Sequence, residues 1–314
     1  MSNQDKCSMP TEEWINTEEY KEKNFARKNL VVNPAKGCQP FGAIFAACGF
    51  EGTMPFVHGS QGCVAYFRNN FSRHFREPFS TTSTSMTEDA AVFGGQANLI
   101  EGLKNTYALY KPKMIALSTS CIAEVIGDDL NAFINNARNK QAIPDELPTP
   151  FASTPSFVGS HITGYDNMLK GILTYLTKDK KTDKKTDKIN IIPGFDTHVG
   201  NLREIKRILN LFGVEYTILA DNTEYLDSPL TGEFDMYPGG TPLEETRESI
   251  NNKATIALQR YSTKKTITFI EKFFEHEAVA LPMPIGIGAT DKLVMEISRI
   301  TGKEIPKEIE DERG

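Results

Sequence analysis

The sequence predicts an α/β protein built of three-layer αβα units with mostly parallel sheets, and three features carry that expectation. Ile189–Ile192 reads as a strand, a helical stretch from Asn201 to Phe212 follows it, and Tyr216–Leu219 reads as the next strand. This β-α-β order favours a parallel sheet, because parallel neighbours need a long crossover, usually a helix. Met114–Leu117 repeats the pattern as an apolar run behind a helix that Lys111-Pro112 closes. At 314 residues the chain has room for two such units, since single cores stop growing near ~250 residues.

Taken in order, residues 1–32 are polar and charged, with isolated aromatics at Trp14 and Tyr20, and are expected to form an extension on a surface. A first α/β unit is expected over 33–176. Within it Gly42–Gly49 and Met54–His58 are apolar pieces broken by glycine and proline, and Ile100, Leu103 and Tyr107 fall at helical spacing. The carboxyl end of the Met114–Leu117 strand delivers Cys121, the place where open parallel sheets put their sites. Asp128–Asn139 predicts a helix with Leu130, Phe133 and Ile134 on one side, and Tyr165–Leu176 a second amphipathic helix. Residues 177–188, with the polar run Lys178–Lys188, offer nothing to bury and read as an exposed linker. They carry no aromatic or glycine partners for bases, which argues against a nucleic-acid patch.

The second unit is expected over 189–314. Asn201 and Glu204 have capping-box spacing, Ile205, Ile208 and Leu209 form an apolar face, and Gly213 ends that helix. Ala254–Leu258 and a helix near Lys264–Phe274 add a further unit, and Asp291–Ile300 is a helix ended by Thr301-Gly302. The final Ile309–Gly314 is charged and predicts no closing element.

The formal charge of −6 supplies no polycation for nucleic acid. Met1–Lys6 lacks the apolar core of a secretory signal, and no run of about 20 apolar residues predicts a membrane span. Five cysteines are too few for a disulfide scaffold of this length, so the expected setting is the reducing cytosol. None of the five histidines recurs with a second at ligand spacing, and Gly159 and Gly194 form no nucleotide fingerprint.

Cys38, Cys63 and Cys121, flanked by glycine or serine and followed by Ser156, carry the most chemistry. Thiolates this far apart reach a common metal centre only through a folded domain. Soft sulfur donors suit iron–sulfur clusters, and glycine beside Cys38 and Cys63 lets backbone approach bulky sulfides. Buried apolar cysteines are the alternative reading, and for Cys48, inside the apolar Ile44–Gly49, it is the expected one.

The local strings decide between them. Asn33–Pro40 around Cys38, Val57–Arg68 around Cys63, Ser85–Gly95, Cys121–Asp129, Thr154–His161 and Glu312-Arg313-Gly314 closely resemble the β chains of nitrogenase molybdenum–iron proteins, and the resemblance runs from about Trp14 to the last residue. It implies a nitrogenase component 1-like fold of three α/β domains in an α2β2 heterotetramer. It also implies an 8Fe–7S P-cluster at each αβ interface, with three cysteine ligands from each chain. The β-side ligands fall on Cys38, Cys63 and Cys121, with Cys63 the bridging one, and the serine that joins on oxidation falls on Ser156. The iron–molybdenum cofactor belongs to the α chain.

Two further positions follow from the resemblance. Phe93 matches the phenylalanine on which the ATP-hydrolysing Fe protein docks; without the family, a core position for it is equally expected. Glu77 and the backbone carbonyl of Arg76 match part of a mononuclear metal site between two β chains. The implied function is an electron relay for ATP-dependent reduction of dinitrogen to ammonia, with the α chain, a second β chain and the Fe protein as partners and no nucleic acid or membrane. A cofactor-assembly scaffold, a subunit of dark-operative protochlorophyllide reductase and a non-catalytic truncated remnant are the rival readings. Family members continue beyond Glu312-Arg313-Gly314 into the rest of the second domain and a third one, so the sequence is expected to be part of a longer chain and inactive alone. The resemblance leaves Cys7 without an assigned role.

Overall fold

The computed structural model describes residues 13, 16–18, 20, 37–75, 78–178, 180, 185–228, 232 and 235–314. Strands β1 (Thr53–His58), β2 (Thr82–Ser83), β3 (Met114–Thr119) and β4 (Phe151–Ala152) form one all-parallel sheet in the order β2-β1-β3-β4. Strands β5 (Ile189–Ile192), β6 (Tyr216–Ile218), β7 (Ala254–Leu258) and β8 (Glu277–Leu281) form a second in the order β6-β5-β7-β8. The α/β architecture with parallel sheets expected from the sequence is therefore present twice.

Alternate side chains of each central strand feed opposite layers, as a two-residue period requires. Phe56, Ile115 and Leu117 pack on α4 (Gln96–Tyr110) and α6 (Leu130–Asn139) through Leu99, Leu103, Leu130 and Ile134. Val57, Met114 and Ala116 face the other way, into the core of α1 (Gln39–Cys48) and α7 (His161–Thr177). Ile192 and Ala257 of the second sheet enter that same core, together with Phe269 and Ile270 of α10 (Lys264–Phe273). Helices α1 and α7 thus lie between the two sheets. The remaining face of the second sheet packs Ile189, Ile191, Ile256 and Leu258 on α8 (Val199–Leu211) and α11 (Ile287–Thr301).

The halves are also tied by backbone. Phe50 bridges Thr241, Glu51 donates its N–H to the Thr241 carbonyl at 2.9 Å, and Thr241 and Asp221 both donate to the Gly49 carbonyl. Asp166 of α7, 2% exposed, accepts the N–H groups of Lys265 and Thr266 at 2.7 and 2.9 Å and so caps α10 across the join.

Several details depart from the sequence reading. The apolar piece Gly42–Gly49 falls almost wholly within the buried α1, and both α5 (Cys121–Ile126) and β8 were unanticipated. Asn201 does not cap its helix: α8 begins at Val199, where Asp196 accepts the His198 N–H at 3.0 Å and the Asn201 side-chain amide at 2.9 Å, while Glu204 pairs with Arg207. The 177–188 run is not simply a free linker. Thr177 ends α7, Lys185 donates to the Phe274 carbonyl at 3.0 Å and Thr186 bonds Asn251 and Asn252; residues 179 and 181–184 lie outside the described set. Finally, the charged tail is helix α12 (Lys307–Arg313), with Ile309 in the second core, Arg313 forked onto Asp291 and Glu312 on Arg207.

Candidate functional site

Strands β1, β3 and β4 end side by side, with His58 opposite Thr119 and Ser118 opposite Ala152. Beyond those ends the chain makes three exits. From β1 it turns through Gly59-Ser60 into α2 (Gln61–Phe75) and presents Cys63 in the first turn. From β3 it passes Ser120, the residue that precedes α5, whose first residue is Cys121. From β4 it reaches Ser156 in the turn before α7. Cys38 arrives from the opposite direction, as the residue preceding α1. A ten-residue helix spans about 15 Å and a six-residue strand about 20 Å, so α1 running back along β1 brings Cys38 to the level of the strand ends.

The four residues line one cavity of about 400 Å³, completed by Pro40, Gly62, Tyr66, Phe67 and Ser120. Those walls carry no charged side chain. Burial is the main cause that pushes the thiol pKa of Cys38 and of Cys63 above the ordinary range. Their neighbours add to it: Cys63 and Cys121 act on Cys38, and Cys121 acts on Cys63, because thiolates sharing a cavity repel one another. An electropositive metal group would reverse that balance. Among the described residues no group of three or more His, Cys, Asp or Glu is arranged to hold a single metal ion. Three soft sulfur donors and a hydroxyl around an uncharged cavity are donors of the kind a polynuclear iron–sulfur group takes.

Buried polar contacts fix the exits. Gln39, 3% exposed, donates to the carbonyls of Pro155 and Val158 and accepts the Asn167 amide at 2.7 Å, which holds the Ser156 turn beside Cys38. Thr154 donates from backbone and hydroxyl to Thr119, each at 2.7 Å, and Glu124 accepts from Thr119 and Ser153, tying α5 to both strands. Beneath the cavity Phe41 stacks on Phe71 with centroids 4.1 Å apart, and Phe45 meets Phe195 of the second half at 4.7 Å. Burying Phe45 and Phe71, each 1% exposed, contributes about 1.5–3 kcal/mol apiece.

Phe93 ends α3 (Glu88–Phe93) and is 87% exposed, beside Val92 at 75%. That exposure removes the core reading for this side chain. Helix α3 packs through Ala90 on Ala123 of α5. Close by, the fully buried His58 lies 2.8 Å from Asp128, and burial outweighs the carboxylate in pushing the imidazole pKa down. Cys48 is 1% exposed and is a core thiol. Arg76, Glu77 and Cys7 lie outside the described residues.

Gln39, Glu124, His58 and Asp128 were not singled out by sequence reasoning, although each sits within a motif string quoted above. The available signal was a polar residue adjoining a cysteine or an apolar run, and only burial distinguishes such a residue from a surface one.

The family model described as nitrogenase component 1 type oxidoreductase matches residues 38–314. The chain is 61% identical over 302 residues to a nitrogenase molybdenum–iron protein β chain of Nostoc sp., covering 96% of this chain and 59% of that one. It is 62% identical over 302 residues to the β chain of Rippkaea orientalis, with the same coverage, and 56% identical over 305 residues to that of Azotobacter vinelandii, covering 96% of this chain and 58% of that one. Among solved structures, a chain of nitrogenase Cp1 at pH 6.5 superposes with a TM-score of 0.87 at 43% identity, over 92% of this chain and 62% of that one. The chain therefore spans about 59% of the length of the curated relatives it matches.

Proposed function

From a chain that belongs to the nitrogenase component 1 type oxidoreductase family and is homologous to molybdenum–iron protein β chains, we infer a β subunit that holds half of the ligands of an 8Fe–7S P-cluster. One observation carries this reading: Cys38, Cys63, Cys121 and Ser156, which are far apart in sequence, line one uncharged cavity at the strand ends.

When bound, the cluster would supply an electron relay between the Fe protein and the iron–molybdenum cofactor of the α chain, in the ATP-dependent reduction of dinitrogen. This chain's residues place and enclose it. Cys38, Cys63 and Cys121 would be the thiolate ligands, with Cys63 at the position of the family's bridging cysteine. Ser156 offers a harder oxygen donor, suited to more oxidised iron. The buried Phe67 forms an apolar wall of the cavity, and the exposed Tyr66 stands at its rim. Gly62 has only the Ser60 hydroxyl near its missing side chain, at 3.7 Å, and so leaves the mouth open to bulk.

The proposed assembly is the α2β2 heterotetramer in the reducing cytosol, with Phe93 as a contact for the Fe protein. Glu77 and the Arg76 carbonyl would contribute to a metal site shared with a second β chain. Among the described residues no helix is long and apolar enough to cross a membrane.

The test is anaerobic co-expression with an α-chain partner, followed by iron and acid-labile sulfide analysis of the purified complex. Iron and sulfide in stoichiometric excess over the α-chain cofactor, lost together in a Cys38/Cys63/Cys121 triple alanine variant, are expected. A complex that forms but holds no such iron would overturn the reading.

A further inference from the structure

We propose that His58 and Asp128 form a buried clamp that fixes the exposed Phe93 turn against the segment leading into Cys121, making the pair positioning residues for partner docking. The functional half of this proposal rests on the reading of Phe93 given above.

Three segments meet at one carboxylate. His58 closes β1; its Nε2 lies 2.8 Å from Asp128 Oδ2, and its carbonyl accepts the N–H of Ser120, the residue before Cys121, at 3.0 Å. The Asp128 carboxylate also accepts the Gly95 N–H, at 3.1 and 3.3 Å, two residues after Phe93. Gly95 has no room for anything larger. A methyl group there would stand 2.6 Å from His58 Cε1 and 2.7 Å from Asp128 Oδ2. Gly94, at φ +89°, makes the turn that leaves Phe93 in solvent.

Packing alone does not call for this pair. His58 Nδ1 is buried without a hydrogen-bond partner among the described residues, and apolar side chains would fill the same space without that cost. What the polar pair adds is direction: one carboxylate, held by one imidazole, sets the position of the Gly95 amide. A clamp of this kind keeps an otherwise solvent-surrounded aromatic at a fixed offset from the cysteine cavity, and pre-organisation lowers the ordering cost of docking.

The experiment uses the complex with the α chain and the Fe protein as probe, comparing Asp128→Ala, Asp128→Asn and Phe93→Ala. In Asp128→Ala iron content should hold, and the KM for Fe protein should rise at least about five-fold with maximal rate within two-fold. Hydrogen exchange should quicken in peptides covering both 88–96 and 121–127. Asp128→Asn, which keeps an acceptor for Gly95, should recover most of the change. Loss of iron in Asp128→Ala, or an unchanged KM where Phe93→Ala raises it, overturns the proposal. If Phe93→Ala leaves KM unchanged, the docking role of Phe93 fails by itself. The clamp is then decided by exchange: quickening in both peptides supports it, and quickening confined to 127–129 overturns it.

Discussion

Gly42 of α1 faces the backbone of His161 at the start of α7 so closely that a methyl group on Gly42 would stand 1.7 Å from the His161 carbonyl oxygen. The contact is reciprocal, since a methyl group on Gly164 of α7 would stand 1.9 Å from the Gln39 carbonyl. Two glycines therefore let the helices meet backbone to backbone. Because Cys38 precedes one helix and Ser156 the other, this crossing also sets the width of the cavity.

Replacing Gly42 or Gly164 by alanine should destabilise the protein by about 3 kcal/mol or more, at the upper end of overpacking costs, since the obstacle is backbone rather than a movable side chain. Gly200→Ala is the control. It lies in α8 with nothing within 4 Å of the added methyl and should gain up to about 1 kcal/mol from helix propensity. Urea denaturation midpoints of the three variants check the ordering.

Cys63→Ala should cost more cluster iron than Ser156→Ala. On the proposed reading a bridging thiolate is needed in every oxidation state, whereas the serine oxygen is recruited only by more oxidised iron. Iron analysis of the two purified complexes is the measurement, and equal losses would contradict the ranking. Ser156→Ala should instead change the spectrum of the oxidised cluster.

Phe93→Asp should leave stability within about 0.5 kcal/mol, because an exposed side chain contributes little to folding. It should weaken Fe-protein coupling with iron content intact, as a central aromatic often dominates a contact. Titration of electron transfer against Fe-protein concentration reads this directly; an unchanged curve would remove the docking role.

His276 predicts a pH dependence. Burial, and then the nearby Lys185 ammonium, lower its pKa from 6.5 to about 4, while its Nε2 lies 2.7 Å from the Thr255 hydroxyl. The folded form thus resists a proton that the unfolded chain accepts. Its contribution to stability is complete above about pH 6.5 and is lost as pH falls from 6.5 toward 4. His276→Gln should flatten the denaturation midpoint across that window, and an unaltered slope would exclude His276 as its source.

Ile189–Ile192, Ala254–Leu258 and Met114–Leu117 were legible as strands because short, mainly apolar runs carry their burial on both faces in the local sequence. The motif strings likewise identified the family. The capping box at Asn201 was misread because the helix begins two residues earlier, at Val199, and the Asn201 side chain bonds Asp196 instead, which sequence spacing does not show. The charged tail was misread because a short helix needs only one buried residue, Ile309, which composition hides.

What the sequence determined by itself was the parallel α/β class, the main strands and helices, and the set of thiols worth watching, since each is written in periodicity or in local strings. What only the tertiary structure decided was that Cys38, Cys63, Cys121 and Ser156 share a cavity, that Gln39 and Asp128 are buried anchors, and that Phe93 faces solvent. The physical reason is range. Burial, close backbone approach and hydrogen bonds such as Gln39 to Pro155, 116 residues apart, depend on segments that only the packed fold brings together.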